Sequence, residues 1–363
     1  MFRQLATAVI VLGAIGPLAG VPAVRADVVP GRRDVTVMTQ NIYQGSELEH
    51  VLAATSLAQF ITGAATDYNN VIATNFSERA DALAAEIAQS RPALVGLQEV
   101  ALWRTQEPFV PGTVAQTVSF DFLQILLDAL SGHGQHYTVV VARDNFDVSG
   151  PALFPAGLKG VRLTERSVVI ARTDLPSDAL QLSNPQQGGY QHVSVLPTLT
   201  GPFPLGAGWL SVDAKVRGKS FRFITTHLDG FSTAVAAQQL QEMLDGPAAT
   251  GLPVVATGDF NSQTTDAAYA RAVAAGFVDQ WSTGHPGEPG LTCCQVPPDT
   301  IVNPISQLST RIDYVFARGL LAPVNQQLLG TDPSSRTASG LWPSDHAGLV
   351  ATLVIGPGAG LTP

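Results

Sequence analysis

Six short stretches of this chain set acids, amides or imidazoles at or beside apolar runs, residue types that can hold a hard cation or move a proton. Glu99 follows the apolar run 93–97. A carboxylate there is a hard oxygen donor for Mg2+, Mn2+ or Ca2+, or else a strand-end cap. Asn41 follows the run 35–40 and offers an amide oxygen to the same kind of ion, or simply supports a turn. In Gly258-Asp259-Phe260-Asn261 the polar residues alternate, so Asp259 and Asn261 leave an extended chain on one side. Asp259 could take a proton from water or position it, and the two ends of the Asn261 amide could bridge nucleophile and phosphoryl oxygen. An Asx turn is the structural use of the same pair.

Asp345-His346 stands just before the apolar run 348–353. An imidazole there exchanges a proton near neutral pH or, when protonated, steadies developing phosphate charge. Asp313, flanked by Ile312, Val315 and Phe316, is suited to hold that ring and select its tautomer. His227 closes Thr225-Thr226 and could protonate a leaving oxygen or touch a nonbridging one, with Asp229 to orient it or to bind metal. Each signal alone has an ordinary structural reading; their combination is what points to chemistry.

These side chains need rigid elements to bring them together. Apolar and β-branched content predicts strands over 35–40, 93–97, 137–141, 167–171, 209–216, 221–226, 253–257, 311–316 and 348–353. Helices are expected over 47–64, 233–244 and 266–275, the last with Thr265 as cap and Gly276 as stop. Another is expected over 76–89, where Phe76, Ala80, Leu83 and Ile87 share a face between Asn75 as N-cap and Arg91-Pro92 as terminator. The order implies an α/β sandwich of mixed sheets with outer helices, whose loops past the strand ends build the site. The stretches 103–165 and 276–310 read as surface elaborations. In the first, Trp103, Phe109, Phe120, Phe122, Leu126, Leu127 and Phe154 fit either core packing or an apolar lid.

Arg3, the apolar run 5–21 and Val24-Arg25-Ala26 read as a secretory signal peptide over 1–26, which predicts an extracellular or periplasmic protein. Removing it takes the formal charge from −9 to −11, which disfavours binding nucleic acid or anionic membranes through a broad basic surface. A bound divalent cation would reverse the field locally. Cys293 and Cys294 are the only cysteines; being adjacent, they cannot staple distant parts of the fold, and a vicinal disulfide, two buried thiols or a redox-sensitive turn are all open. No GxSxG elbow, HExxH spacing or full phosphate-binding loop is present.

The segments MTQNIY, LVGLQEV, TTHLD, GDFN, RIDYVF and SDHAGL, in that order between residues 35 and 354, resemble the endonuclease/exonuclease/phosphatase superfamily. GDFN with the late SDH and the early QEV is the specific combination. Within that superfamily the chain is similar to pancreatic-type deoxyribonucleases and neutral sphingomyelinases, which carry a histidine where abasic-site enzymes have a tyrosine. The resemblance implies a four-layer α/β sandwich, two central mixed β-sheets flanked by helices, over 33–356; the Gly/Pro-rich end over 357–363 reads as a flexible tail. It implies that Asn41, Glu99 and Asp345 hold or border an essential divalent ion, Mg2+ foremost. Asp259, Asn261, Asp313, His346 and His227 would then carry water attack at phosphorus. The expected substrate is a phosphodiester, nucleic acid before phospholipid, with transient membrane contact for the latter and no obligate protein partner. A small-molecule phosphatase and an inactive secreted binding protein are the other readings. A nuclease needs cations beside the cleft, and Arg104, Arg143, Arg162, Arg166 and Arg172 are the candidates.

Overall fold

The computed structural model describes residues 33–199, 201–296, 300–319 and 321–356. The leader expected over 1–26 and the tail expected over 357–363 lie outside the described residues. The first part of the chain forms β1 (Asp34–Asn41), α1 (Glu49–Leu52), α2 (Leu57–Ala73), α3 (Phe76–Ser90), β2 (Leu94–Gln98), β3 (Leu102–Gln106), β4 (Thr117–Asp121) and α4 (Phe122–Gly132). A long hairpin follows, β5 (Tyr137–Phe154) and β6 (Gly157–Arg172), then β7 (Gln181–Gly189), β8 (Val195–Thr198), β9 (Gly201–Pro204), β10 (Gly208–Val216) and β11 (Lys219–His227). The last part supplies α5 (Thr233–Asp245), β12 (Val254–Asp259), α6 (Ala267–Ala274), β13 (Val278–Asp279), α7 (Gln280–Gly284), β14 (Asp313–Arg318), β15 (Leu321–Leu329) and β16 (Gly348–Ile355).

Two mixed sheets organise these elements. One runs β15-β16-β1-β2-β6-β3-β4 with β5 also paired to β6, and the other β13-β14-β12-β11-β10-β7. Strand alternation explains how they stack. Val35 and Val37 of β1 face the core between the sheets, together with Leu94, Val169, Phe221, Phe223, Val255, Leu349 and Leu353. Met38, Val95, Leu97 and Ile170 point the other way, onto Phe76, Leu83 and Ile87 of α3 and Phe122 and Leu126 of α4. On the far side Ile224, Val254 and Ala256 meet Ala236 and Leu240 of α5 and Ala268 of α6. The result is the expected four layers, helix–sheet–sheet–helix. At the strand ends nearest the site the inter-sheet core turns polar: Thr39 Oγ1 donates to Gln98 Oε1 at 3.2 Å, and Gln98 Nε2 donates to Thr225 Oγ1 at 2.9 Å. Gly96 permits this approach, since a Cβ there would strike the Thr225 side chain.

Several local expectations are corrected. The helix over 47–64 is two helices: the chain breaks after α1, and Ser56 caps α2 by accepting from Gln59 N. Asn75 occupies the N-cap of α3 as expected, with a left-handed φ of 36° and no side-chain cap bond. Thr265 does not cap α6; Asp266 occupies that N-cap, also without a side-chain cap bond. The stretch 103–165 is no surface elaboration, for it supplies β3, β4, α4, β5 and most of β6. Trp103, Phe122 and Leu126 within it are buried, so these side chains are core rather than lid. Residues 276–310 also turn inward, burying Trp281, Thr292, Gln295 and Ile301.

One buried acid sits far from any catalytic segment. Glu86 on α3 has an enclosed Oε1 without a hydrogen-bond partner, and burial pushes its pKa up to about 8. A carboxyl whose folded pKa is raised is ionised first in the unfolded chain, so stability declines as pH rises from the unfolded value toward 8. Glu86→Gln is therefore expected to raise the melting temperature at pH 7.5 by about 2–4 °C per kcal/mol relieved. The gain should vanish near pH 4, and a pH series of thermal melts checks it.

Candidate active site

The site lies where strands from both sheets end together. Parallel pairing of β1 with β2 sets Asn41 opposite Gln98, and parallel pairing of β11 with β12 sets His227 opposite Asp259. Antiparallel pairing of β12 with β14 then sets Asp259 opposite Asp313. One rung of the second sheet thus carries Asp313, Asp259 and His227, and opposed residues project from the same face. Gly258 permits the register, with φ +145° and the Thr226 carbonyl packed where a Cβ would stand.

Asp259 divides its two oxygens between structure and chemistry. Oδ1 accepts from Asn261 N at 2.8 Å, forming the Asx turn. Oδ2 is the meeting point: Asn41 Nδ2 lies at 3.2 Å, His227 Nε2 at 3.5 Å and His346 Nε2 at 3.8 Å. Asn261 donates from Nδ2 to the Leu228 carbonyl at 2.8 Å, which ties the GDFN turn to the loop after His227.

The carboxylate–imidazole pair forms as expected, with His346 Nδ1 at 2.8 Å from Asp313 Oδ2. Burial works against charge on His346, but Asp313, Asp345 and Asp259 outweigh it and raise its pKa well above 6.5. His227 is raised as well: burial opposes, and Asp259, Glu165 and Glu99 prevail. Two imidazoles biased toward the cation therefore flank one carboxylate, with the proton donors and acceptors that acid–base chemistry requires.

Glu99 adopts a φ of 58° just past β2, and its carboxylate accepts from Asn41 Nδ2 at 2.8 Å and from Gln44 N at 2.9 Å. Asp345 is pushed up to about 6, first by burial and then by the Glu99 charge, with His346, Arg79 and Ser344 opposing. Buried Asp345 and half-buried Glu99, both hard oxygen donors, fit a divalent cation, which would offset the charge that Glu99 sets beside Asp345. Asn41 presents its nitrogen to this cluster while its Oδ1 accepts from Tyr43 N at 2.9 Å. In this arrangement it clamps Glu99 and Asp259, and coordination through Oδ1 would require the amide to turn. Asp259, Asp313 and His346 also bring donor atoms within 4.8 Å of one another, as do Cys293, Cys294 and His346. The first of these sets is already bound into the Asp313–His346 hydrogen bond, and the second is soft, so Glu99 with Asp345 is the better match to a hard ion. Cys293 and Cys294 are joined in a vicinal disulfide, with Cys294 Sγ 3.9 Å from His346 Nε2.

Asp229 neither orients His227 nor faces the carboxylates. Its oxygens accept from Ser194 N and Oγ, Phe231 N and Ser232 N, so it organises its own loop. Two functional side chains escaped the sequence reading. Glu165 on β6 is buried, takes the Glu99 N–H at 3.1 Å and the Asn145 amide at 2.8 Å, and lies 4.0 Å from His227 Nδ1. Its neighbours Thr164, Arg166 and Ser167 are polar, so nothing in the local sequence marked it. Arg79 occupies the apolar face of α3, fully buried, and donates to the carbonyls of Ile42, Tyr43, Thr74 and Pro343. It ties the loop after Asn41 to the Ser344-Asp345-His346 turn, where Ser344 Oγ also donates to the Asn41 carbonyl at 2.7 Å. Burial lowers its pKa to about 10, which leaves it charged at neutral pH. Arg79→Leu strands four enclosed carbonyls and is expected to cost about 3–5 kcal/mol, read as a shifted denaturation midpoint with unchanged slope.

A model of the Endonuclease/Exonuclease/phosphatase family matches residues 38–346, so the chain belongs to that family, and the site is the active site of a hydrolase of that superfamily. No curated protein matches it. Among solved structures, an endonuclease/exonuclease/phosphatase family protein from Bacteroides thetaiotaomicron superposes with TM-score 0.55 and 17% identity, covering 89% of this chain and 98% of its own. The mannosyl-6-phosphatase of Bacteroides thetaiotaomicron VPI-5482 gives TM-score 0.57 at 16% identity over 88% and 100%. TDP2 of D. rerio, complexed with a single-strand DNA product, gives 0.50 at 17% over 88% and 98%. At such identities these likenesses establish the fold.

Proposed function

We propose that this chain is a divalent-cation-dependent phosphodiesterase that attacks phosphorus with water, with nucleic acid as its preferred substrate. The observation that carries the reading is the convergence on Asp259 Oδ2 of Asn41, His227 and His346, beside the Glu99–Asp345 acids. Glu99 and Asp345, with Asn41 at the border, would hold Mg2+, Mn2+ or Ca2+, and such an ion would neutralise phosphoryl charge. Asp259 takes the proton of the attacking water as the new oxygen–phosphorus bond forms. His346, kept cationic by Asp313, Asp345 and Asp259, stabilises charge on the phosphoryl oxygens. His227, raised in the same way, gives its proton to the leaving oxygen as that bond breaks. Asn261 borders this pair and orients the phosphate.

A phospholipid phosphodiesterase is the second reading. The loop after His227 exposes Phe231, and Ser194, bonded to Asp229 of that loop, precedes the exposed Val195. An apolar rim of this kind would suit a lipid surface. Export from the cell rests on the leader pattern of residues 1–26. The test is a panel of single- and double-stranded DNA, RNA, sphingomyelin vesicles and small phosphomonoesters, with EDTA and then Mg2+ or Mn2+. Metal-restored cleavage of nucleic acid is expected. Turnover of monoesters alone, or activity untouched by EDTA, would refute the reading.

A further inference from the structure

Of the five arginines that could serve a nuclease, four are engaged elsewhere. Arg104 donates to Thr164, Arg162 pairs with Asp147, Arg166 with Asp121 and Arg172 with Asp174. Arg143 on β5 differs: it makes no ion pair among the described residues, and its Nε is enclosed without a hydrogen-bond partner. Where it lies follows from the rung that carries the catalytic residues. That rung continues past His227 to Gly208 on β10 and then to Gly189 on β7. Residues opposed across an antiparallel ladder send side chains to the same face, so a Cβ on either glycine would project beside the His227 imidazole. Arg143 occupies that space. A Cβ on Gly208 would stand 2.5 Å from its Nε, and one on Gly189 would stand 2.5 Å from its Nη2. Two adjacent glycines thus form a shelf, and the guanidinium lies on it, half-buried, one to two strands or about 5–10 Å beyond His227.

We propose that Arg143 is a substrate-positioning residue that binds the phosphate next to the scissile one in a nucleic-acid strand. The inference rests on the phosphodiesterase reading above and deepens it. Along the rung the order is Asp313, Asp259, His227, guanidinium, so the charge stands on the side where His227 meets the leaving oxygen. A polynucleotide carries a second phosphate at this kind of separation, and the planar fork of arginine matches its oxygens. The strongly negative overall charge gives a local cation of this kind more to do, since no broad basic surface assists.

The test compares Arg143→Gln and Gly189→Ala with the unaltered enzyme on a single-stranded oligonucleotide and on bis(4-nitrophenyl) phosphate, a diester with one phosphate. Gly189→Ala displaces the guanidinium and keeps the arginine, so it reports the position of the charge independently of its removal. For Arg143→Gln, kcat/KM on the oligonucleotide should fall about 10- to 100-fold, chiefly through KM, with little change on the small diester. The salt dependence of oligonucleotide binding should lose about 0.7 of a log–log unit. Gly189→Ala should move the same way by less. Unchanged oligonucleotide turnover in both variants overturns the proposal. So does a parallel loss on both substrates at an unchanged melting temperature, which would place Arg143 in the chemical step. If the unaltered enzyme cleaves neither diester, the phosphodiesterase reading itself has failed.

Discussion

Replacing His346 by asparagine should lower kcat by about 10²–10⁴-fold on any phosphodiester the enzyme accepts, with KM little changed. The expectation follows from where the ring sits. Its Nδ1 is held at 2.8 Å by Asp313, and its Nε2 faces Asp259 at 3.8 Å, so the imidazole can act only in one orientation. Asp313 is fully buried, and through His346 it both fixes the tautomer and favours the cation. Asp313→Asn should therefore lose activity as well, and the double variant should be no worse than His346→Asn alone. Additive losses would mean that Asp313 acts on the substrate by another route. A thermal melt accompanies each variant, because Asp313 without its imidazole partner is a buried carboxylate left with Thr292 for support.

The second large effect concerns the cation. Glu99→Gln should weaken Mg2+ binding by at least about 100-fold, since even groups that merely support metal ligands cost 10–100-fold when removed. Turnover should fall in parallel and recover in part at high Mn2+. Asn41 Nδ2 and Gln44 N use separate oxygens of Glu99, so glutamine keeps an acceptor for one of them, and the fold should survive the loss of the other hydrogen bond. A calorimetric or thermal-shift titration separates the two roles. Added Mg2+ should raise the melting temperature of the unaltered protein and leave that of the variant where it was. In EDTA the lost hydrogen bond and the relief of Asp345 from the Glu99 charge oppose each other, so the variant should melt close to the parent. A variant that binds Mg2+ normally and turns over normally would remove Glu99 from the centre.

Strand-end chemistry was legible in the sequence because buried strands have a simple pattern and their ends are rigid. The runs before Asn41, Glu99, His227 and Asp259 are short, apolar and flanked by turn residues, so both the strands and what they deliver could be read. The same logic failed in the long β5–β6 hairpin. Gly150, Pro151 and Pro155 interrupt its alternation, and Glu165 therefore looked like part of a surface insertion rather than the neighbour of His227. Arg79 was hidden for the opposite reason. It falls in register with Phe76, Leu83 and Ile87 on the buried face of α3, where a charge is expected only if backbone carbonyls converge on it, and that convergence is tertiary. The shelf beneath Arg143 is also invisible in one dimension, since Gly189 and Gly208 meet only through sheet pairing. Asp229 shows the converse hazard: its spacing from His227 suggested a partner, yet its loop consumes both oxygens.

One hard cation between Glu99 and Asp345, beside the Asp259–His227–His346 cluster, is the central requirement of the proposed chemistry. Anomalous diffraction from crystals soaked in Mn2+ measures this directly. A single peak bonded to Glu99 and Asp345 oxygens, at about 2.0–2.3 Å as for hard divalent ions, is the predicted result. Mn2+ bound at Asp313 and His346 with Glu99 bare, or no bound ion in crystals of active enzyme, would contradict it.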